Sequence, residues 1–286
     1  MLGFNRVGFT ALLAVALLCA MPSAPTQGTA KTKEQKLVQA QIVLTVSESK
    51  RLIAKGVAKM PIVRDALKNG IVIIAKGTTN TYVAEEILGK KIAHGAYILG
   101  RTFPEKGGKS LGDVESIGEV VLVKGKHRED LSLAEAVRML KPGDVVIKGA
   151  NALDYDNQLA AVIVGSSNAG TTGKILPYVG ARKAHLVIPV GLEKQVSGNA
   201  IDIVKKMQQP VDSLNDVPTM FLLTGHIVTE LEALKLLADV SVFQAAAGGI
   251  GGAEGSVRLI CRGPRDKVQN ALNLAQKIHG EPPFVQ

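Results

Sequence analysis

The stretch Ile71-Val-Ile-Ile-Ala-Lys-Gly77-Thr78-Thr79-Asn80 decides the fold of this chain. The uninterrupted apolar run at its start predicts a buried strand, and residues 82–88 after it have the spacing of a helix. The glycine and threonines between them place backbone N–H groups and hydroxyls at the N-terminus of that helix, an arrangement that often holds an anion. The stretch therefore predicts both an α/β unit and a candidate ligand site.

A second Gly-Thr-Thr sequence, Gly170-Thr171-Thr172-Gly173-Lys174, follows an apolar run at 159–164 and precedes a helical pattern. Its lysine adds a positive charge to the same hydrogen-bonding groups. Threonine after glycine is also an ordinary way to cap a helix without any ligand. Both interpretations stay open for both copies.

Further apolar runs at 144–148 and 184–188 alternate with helical patterns. This order predicts an α/β fold with a mainly parallel sheet flanked by helices, in which ligands gather at the carboxyl ends of the strands. Residues 92–126 are instead punctuated by glycine and contain two extended pieces, 96–99 and 119–123. They predict an antiparallel insertion.

Two lysines, Lys76 and Lys148, each end a predicted strand beside a glycine. Residues at that edge of a parallel sheet line the ligand crevice. We therefore expect one or both amines to neutralise an anionic ligand.

Residues 218–280 have a β-α-β-β-α order that predicts a small α+β lobe of ferredoxin-like character. Within it, strands at 240–246 and 256–262 are expected to pair across a glycine-rich loop. That loop, at 249–255, resembles a dinucleotide fingerprint but lacks the third glycine and the helix that should follow. The domain plan is an α/β domain at 31–209 followed by this lobe.

Residues 1–30 have the order of a secretory signal: a positive charge, an uncharged apolar run at 7–21 and a small, polar segment at 22–30. The run is shorter than the ~20 residues that a membrane span needs. Cleavage could follow Ala24 or Ala30, whereas an uncleaved anchor and a disordered leader fit the same residues. The protein is thus expected to be exported or membrane-anchored if the signal operates, and cytoplasmic otherwise.

The composition limits the classes of molecule that this 286-residue chain is expected to bind. The chain has a formal charge of +9 and no tryptophan. Its basic residues are scattered and no aromatic-plus-basic stripe offers a stacking surface, which argues against nucleic acid and favours small anions. The five histidines are not at metal-ligand spacing, and Cys261 is the single thiol once the leader is removed, so no metal site is expected. The composition indicates no particular cofactor, limits membrane contact to the N-terminal segment and leaves a homo-oligomer open.

Two motifs resemble those of ribose-5-phosphate isomerases, which share a superfamily with glucosamine-6-phosphate deaminases, CoA transferases and regulatory subunits of a translation initiation exchange factor. Residues 75–85 are similar to the phosphate loop and the following helix of these isomerases. Residues 148–154 are similar to their Asp-Gly-Ala-Asp-Glu-Ile/Val-Asp motif, and the resemblance covers residues 47–194. Together with the second Gly-Thr-Thr sequence, it implies the ligand-binding residues Lys76, Gly77, Thr78, Thr79, Lys148, Gly149, Asn151, Gly170, Thr171, Thr172 and Lys174.

The second motif also departs from the isomerase pattern, because Lys148, Asn151 and Ala152 stand where the isomerases have carboxylates. Proton transfer at a carbon acid needs a base within hydrogen-bond reach. Asp154 and Glu193 remain as candidate catalytic bases, although each is also well placed to stabilise a helix start. The departure argues against catalysis.

The expected function is therefore the binding of a small phosphorylated or CoA-like anion on an isomerase-like scaffold. A sugar-phosphate isomerase or an acyl/CoA-transfer enzyme is the first alternative. A structural protein whose Gly-Thr-Thr turns only cap helices is the second.

Overall fold

The computed structural model describes residues 36–100, 102 and 114–284. The predicted signal or anchor at 1–30 lies outside these residues, as does part of the predicted insertion at 92–126. Within the described ranges no helix is long and apolar enough to cross a membrane.

The described residues form twelve strands, eight α-helices and one short 3-10 turn. The strands are β1 (Leu37–Leu44), β2 (Ile71–Ile74), β3 (Val120–Val123), β4 (Lys126–His127), β5 (Val145–Ile147), β6 (Ala152–Asp154), β7 (Leu159–Val164), β8 (His185–Pro189), β9 (Thr219–Leu223), β10 (His226–Val228), β11 (Ser241–Ala247) and β12 (Val257–Pro264). The helices are α1 (Val46–Lys59), α2 (Pro61–Asn69), α3 (Thr78–Leu88), α4 (Leu133–Met139), α5 (Gly170–Arg182), α6 (Ala200–Met207), α7 (Glu230–Ala238) and α8 (Arg265–Gln276), and the 3-10 turn is Leu192–Lys194.

The largest sheet is mixed and has six strands in the order β10-β8-β5-β2-β3-β4. Strands β10, β8, β5 and β2 run parallel to one another. Strands β3 and β4 extend the sheet as antiparallel neighbours of β2. The predicted α/β class is confirmed, in the form of a mixed sheet.

Two three-stranded sheets complete the fold, in the orders β1-β12-β11 and β6-β7-β9. Strands β11 and β12 pair across the glycine-rich loop as the sequence predicts. Residues 218–280 nevertheless form no separate ferredoxin-like sheet among the described residues, because β9 joins β7, β10 joins β8, and β12 pairs along its whole length with β1. These partners lie far away in the chain, which a local sequence pattern cannot reveal.

Side chains alternate along β2 and are buried on both faces of the sheet. This burial fixes the position of the loop that follows β2. Val72 and Ile74 share one core cluster with Val57 of α1 and Tyr82 of α3. Ile73 belongs to the cluster on the opposite face, which includes residues of α4 and α5.

Thr45 caps α1, since β1 ends at Leu44 and Thr45 forms a reciprocal capping box with Glu48. One local prediction is wrong. Tyr97, predicted to lie in an extended piece, sits in a turn. Its buried hydroxyl donates to the Ile74 carbonyl and accepts from the Val120 N–H, so it joins β2 to β3 through its side chain.

Candidate functional site

Three parallel strands of the six-stranded sheet, β2, β5 and β8, end side by side. Residues 75–80 follow β2, residues 148–151 follow β5, and residues 190–194 follow β8. Neighbouring strands lie about 4.8 Å apart, so these segments share one edge of the sheet, and the start of α7 after β10 joins them. As the sequence predicts, the segments that follow these strands lie together at the carboxyl edge of the sheet.

The first Gly-Thr-Thr sequence forms the start of α3, with Gly77 as N-cap and no side chain capping the helix. The backbone N–H groups of Thr78, Thr79 and Asn80 find no acceptor among the residues that the structure describes. The Thr79 side chain is buried, and its hydroxyl has no partner there either. Three N–H groups and a hydroxyl without partners among the described residues thus lie in the first turn of an eleven-residue helix, at its positive end.

Asn80 ties this helix to the sheet. Its side-chain amide donates to the Ala75 carbonyl at 2.7 Å, while its buried Oδ1 has no partner among the described residues. A Cβ built on Gly149 would lie 3.8 Å from that Oδ1 and 3.7 Å from the Pro189 carbonyl oxygen. A side chain at position 149 would therefore contact both the start of α3 and the end of β8.

Lys148 places a buried amine at the same edge. The residue is 7% exposed, and its amine makes no hydrogen bond or ion pair with any described residue. Burial lowers the pKa of the Lys148 amine to about 8. Removing a cation from water without a counter-charge is costly, so this position favours a negatively charged partner.

Lys76 and Asn151 are less available to a ligand than the sequence suggests. Lys76 is half-buried and donates to the Ser116 hydroxyl at 2.9 Å. The exposed Asn151 accepts from the Ile163 N–H at 3.0 Å, so its side chain supports β7.

The second Gly-Thr-Thr sequence begins α5, which leads into β8. Asn168 Oδ1 accepts from the Gly170 N–H at 3.0 Å, so the chain itself satisfies one of the free donors at this start. Thr172 is buried, Thr171 is half-buried, and Lys174 is exposed. The two Gly-Thr-Thr sequences thus differ. In α5 the Asn168 side chain accepts from a backbone N–H at the helix start, whereas in α3 no described side chain does so.

Asp154 serves as a structural acceptor. Its carboxylate accepts from the Ala200 N–H at 3.0 Å and from the backbone and side chain of Asn157. These hydrogen bonds, with that from Ala200 first, lower the pKa of Asp154. The contacts match the capping role rather than that of a catalytic base.

Glu230 is the acidic residue that sequence reasoning missed. It starts α7, has no exposed surface, and accepts from the Leu192 N–H at 3.0 Å through Oε2. Burial, reinforced by the charge of Glu193, raises the pKa of Glu230 to about 7. Ser49 lies close enough to oppose this rise, yet neither its hydroxyl nor Glu230 Oε1 has a hydrogen-bond partner among the described residues.

Lys50 of α1 is 9% exposed and lies within electrostatic range of Glu193. Burial first, and the charge of Lys194 second, lower the pKa of the Lys50 amine to about 8, while Glu193 opposes them. The amine lies 5.7 Å from the centre of the Phe284 ring. Lys194 itself donates to the Ala150 carbonyl at 2.9 Å.

Glu193, the second candidate base from the sequence, lies at this site. Its carboxylate folds against the backbone of Gly191, where a Cβ would come 1.8 Å from Glu193 Oε2. That oxygen is buried without a partner among the described residues. The glycine-rich loop between β11 and β12 reaches the site at Gly255, whose backbone lies against Val46 and near Glu193.

Buried polar atoms without a partner concentrate at this edge of the sheet. Folded proteins satisfy nearly all such atoms, so each exception calls for an explanation. All of those in the described residues lie on α1, α3, the 3-10 turn or the start of α7. They are Ser49 Oγ, Thr79 Oγ1, Asn80 Oδ1, Tyr82 Oη, Glu193 Oε2 and Glu230 Oε1.

The sequence gives no signal that locates the missed residues of α1. The polar run at 47–51 is typical of a solvated helix face, yet the structure buries all five of its residues. Glu230 has no such signal, because it looks like an ordinary acidic residue in the first turn of a helix.

No protein-family model, curated protein or solved structure matches this chain.

Proposed function

We propose that the protein binds a small anionic ligand, phosphorylated or CoA-like, at the carboxyl edge of the six-stranded sheet. The observation that carries this proposal is the start of α3, where three N–H groups and the buried Thr79 hydroxyl have no partner among the described residues. A helix N-terminus with free N–H groups favours negative charge.

The buried amine of Lys148 supports the same conclusion. An anion that restored its pKa from about 8 to the ordinary 10.5 would gain about 3 kcal/mol from this contact. The free Asn80 Oδ1 accepts hydrogen bonds only. It therefore suits a ligand that carries hydroxyl or N–H groups next to its anionic group, as sugar phosphates and CoA do.

The topology supports this ligand class. Open α/β sheets bind their ligands at the carboxyl ends of their parallel strands, and the groups without partners lie at that edge of the mixed sheet. A purely structural role would leave the orphaned buried atoms unexplained, since folding alone favours pairing them.

The test is the melting temperature of the full-length protein with inorganic phosphate, ribose 5-phosphate or acetyl-CoA. At a hundred times its Kd a ligand adds about 2.7 kcal/mol, which is about 5 °C or more for a chain of this size. Lys148→Met should remove most of the rise, whereas Lys205→Met, at an exposed lysine of α6, should leave it intact. The absence of a rise with all three probes would contradict the proposal.

A further inference from the structure

A cleft of about 650 Å³, here called the helix cleft, lies among α1, α2, α3, α7 and α8. Its volume is within the range of small-molecule sites, about 300–1,000 Å³. Ile87, which lines the cleft, lies nine residues after Thr78 and thus about 13 Å along α3. The helix cleft is therefore separate from the start of α3 and from the segments that follow β5 and β8.

Four partly buried apolar side chains form one part of the lining. Leu67 of α2 and Ile87 of α3 pack against the core cluster on one face of the six-stranded sheet. Leu237 of α7 and Leu274 of α8 pack against the cluster on the opposite face. An apolar ligand group in the cleft would remove the remaining exposed surface of all four side chains from water, which is favourable.

Cations form the other part of the lining. Lys59, Arg64 and Lys68 are exposed, and none of them forms an ion pair with a described residue. The single carboxylate among the described lining residues is Glu86, which is already paired with Lys55 at 3.1 Å. The helix cleft thus has an excess of positive charge beside its apolar surface.

Helix stabilisation accounts for two of these cations but not for the third. Lys59 and Lys68 lie in the last turns of α1 and α2, where a positive charge is favourable without any ligand. Arg64 is the fourth residue of α2 and lies close to the positive end of that helix. The helix dipole gives no reason for a cation there, whereas an anionic group in the cleft does.

We propose that the helix cleft binds a free fatty acid, with the acyl chain against the four apolar side chains and the carboxylate beside Arg64 and Lys68. Charge complementarity favours the anionic headgroup, and the apolar lining favours the chain. This proposal does not rest on the anion site at the carboxyl edge of the sheet.

The size and shape of the cleft favour a single chain over a macromolecule. A stable protein partner needs about 800 Å² of surface on each side. A membrane surface takes up the apolar face of an exposed amphipathic helix, whereas these four apolar side chains lie in a cleft between helices. One acyl chain suits such a site.

Calorimetric titration of the full-length protein with octanoate, decanoate and decanol tests the proposal. Decanoate should bind at least threefold more tightly than octanoate, because its two additional methylene groups are buried. It should bind at least tenfold more tightly than decanol, which has the same chain length without the charge. Arg64→Gln should remove most of the preference for decanoate over decanol, whereas Lys205→Gln, at an exposed lysine of α6 outside the cleft, should leave it intact.

Fluorescence locates the bound chain. The protein has no tryptophan, so a single introduced tryptophan reports on its own position. Leu274→Trp should lose fluorescence when stearic acid with a doxyl spin label on its chain is added, because the label quenches only at close range. Leu214→Trp, in the exposed loop before β9, is the matched control and should keep its fluorescence. Leu237→Trp provides a second position in the cleft if Leu274→Trp does not fold.

Several outcomes would overturn the fatty-acid site. They are the absence of decanoate binding, equal affinities for decanoate and decanol, equal affinities for octanoate and decanoate, and equal quenching of the cleft and control tryptophans. Co-sedimentation with anionic vesicles in the absence of decanoate binding would instead assign the cleft to a membrane surface.

Excess inorganic phosphate separates this site from the proposed function. Phosphate should not displace decanoate, and displacement would overturn the proposal because the acid would then be bound at the carboxyl edge. The rise in melting temperature with phosphate alone tests the proposed function, so each of the two sites can fail while the other stands.

Discussion

Glu230 accepts a 3.0 Å hydrogen bond from the backbone N–H of Leu192, which joins the start of α7 to the turn after β8. The two residues are 38 positions apart in the chain. This contact holds a fully buried carboxyl group beside Glu193 and Ser49, at the edge where the parallel strands end.

Glu230→Gln should make stability less dependent on pH. The folded-state pKa of Glu230 is raised from 4.5 to about 7, so the folded protein binds this proton more tightly than the unfolded chain. The stability it contributes is complete below pH 4.5 and is lost as pH rises to 7, by up to about 3 kcal/mol. Glutamine cannot ionise and keeps the acceptor for Leu192.

Urea unfolding of the wild type and Glu230→Gln at pH 5 and pH 8 measures this effect. The variant should gain stability relative to the wild type at pH 8. A larger gain in the free energy of unfolding at pH 5 than at pH 8 would contradict a raised pKa for Glu230.

Lys50→Met should stabilise the protein at pH 7. The buried amine has a pKa lowered from 10.5 to about 8, so keeping it charged at pH 7 is costly, and methionine fills a similar volume without charge. We expect the free energy of unfolding to rise by about 1–3 kcal/mol. Arg51→Met is the contrasting variant and should destabilise, because it leaves the carboxylates of Glu85 and Glu281 without their buried partner. A destabilised Lys50→Met would mean that the amine has a structural partner after all.

Gly149→Val should block the ligand while leaving the fold intact. A Cβ at this position is in ordinary contact, 3.7 Å from the Pro189 carbonyl, so Gly149→Ala should retain binding. The two methyl groups of valine would crowd Asn80 Oδ1, which the proposed ligand would contact. Isothermal titration with the anion found in the melting screen should show at least a tenfold weaker Kd for valine than for alanine. Equal affinities would place the ligand elsewhere.

Asp154→Ala should lower stability without affecting the ligand. The side chain accepts from Ala200 and Asn157, and losing these hydrogen bonds should cost about 2 kcal/mol. Since its folded pKa is lowered, the contribution is present above pH 3.8 and disappears as pH falls further. Urea unfolding of Asp154→Ala measures its stability, and phosphate titration measures its ligand binding. If the variant folds but no longer binds phosphate, Asp154 belongs to the ligand site.

The N-terminal segment gives a prediction that needs no structural information. If residues 1–30 are a cleaved signal, mass spectrometry of the protein from its native host should find a mature chain that begins after Ala24 or Ala30. An intact Met1 would contradict cleavage.

The sequence predicted the strands and the helix start at the sheet edge, but not the roles of the charged residues there. The order of apolar runs located β2, β5 and β8, and the Gly-Thr-Thr sequence located the start of α3, because strand and helix periodicity is a local property. The resemblance to an isomerase motif directed attention to Asp154, but this carboxylate acquires its hydrogen bonds from the start of α6, 46 residues away. Nothing local distinguishes a catalytic carboxylate from a capping one.

By itself, the sequence determined where α3 begins, since Gly77, Thr78 and Thr79 create a helix start through short-range geometry alone. Only the tertiary structure decided which charges are paired. Glu281, far along the chain, completes the ion pairs of Arg51, whereas Lys50 has no ion pair with any described residue. The burial of Glu230 depends on packing against α1 and the turn after β8. Desolvation and ion pairing are set by neighbours that are distant in sequence, and these two effects shift the pKa values of Lys50 and Glu230.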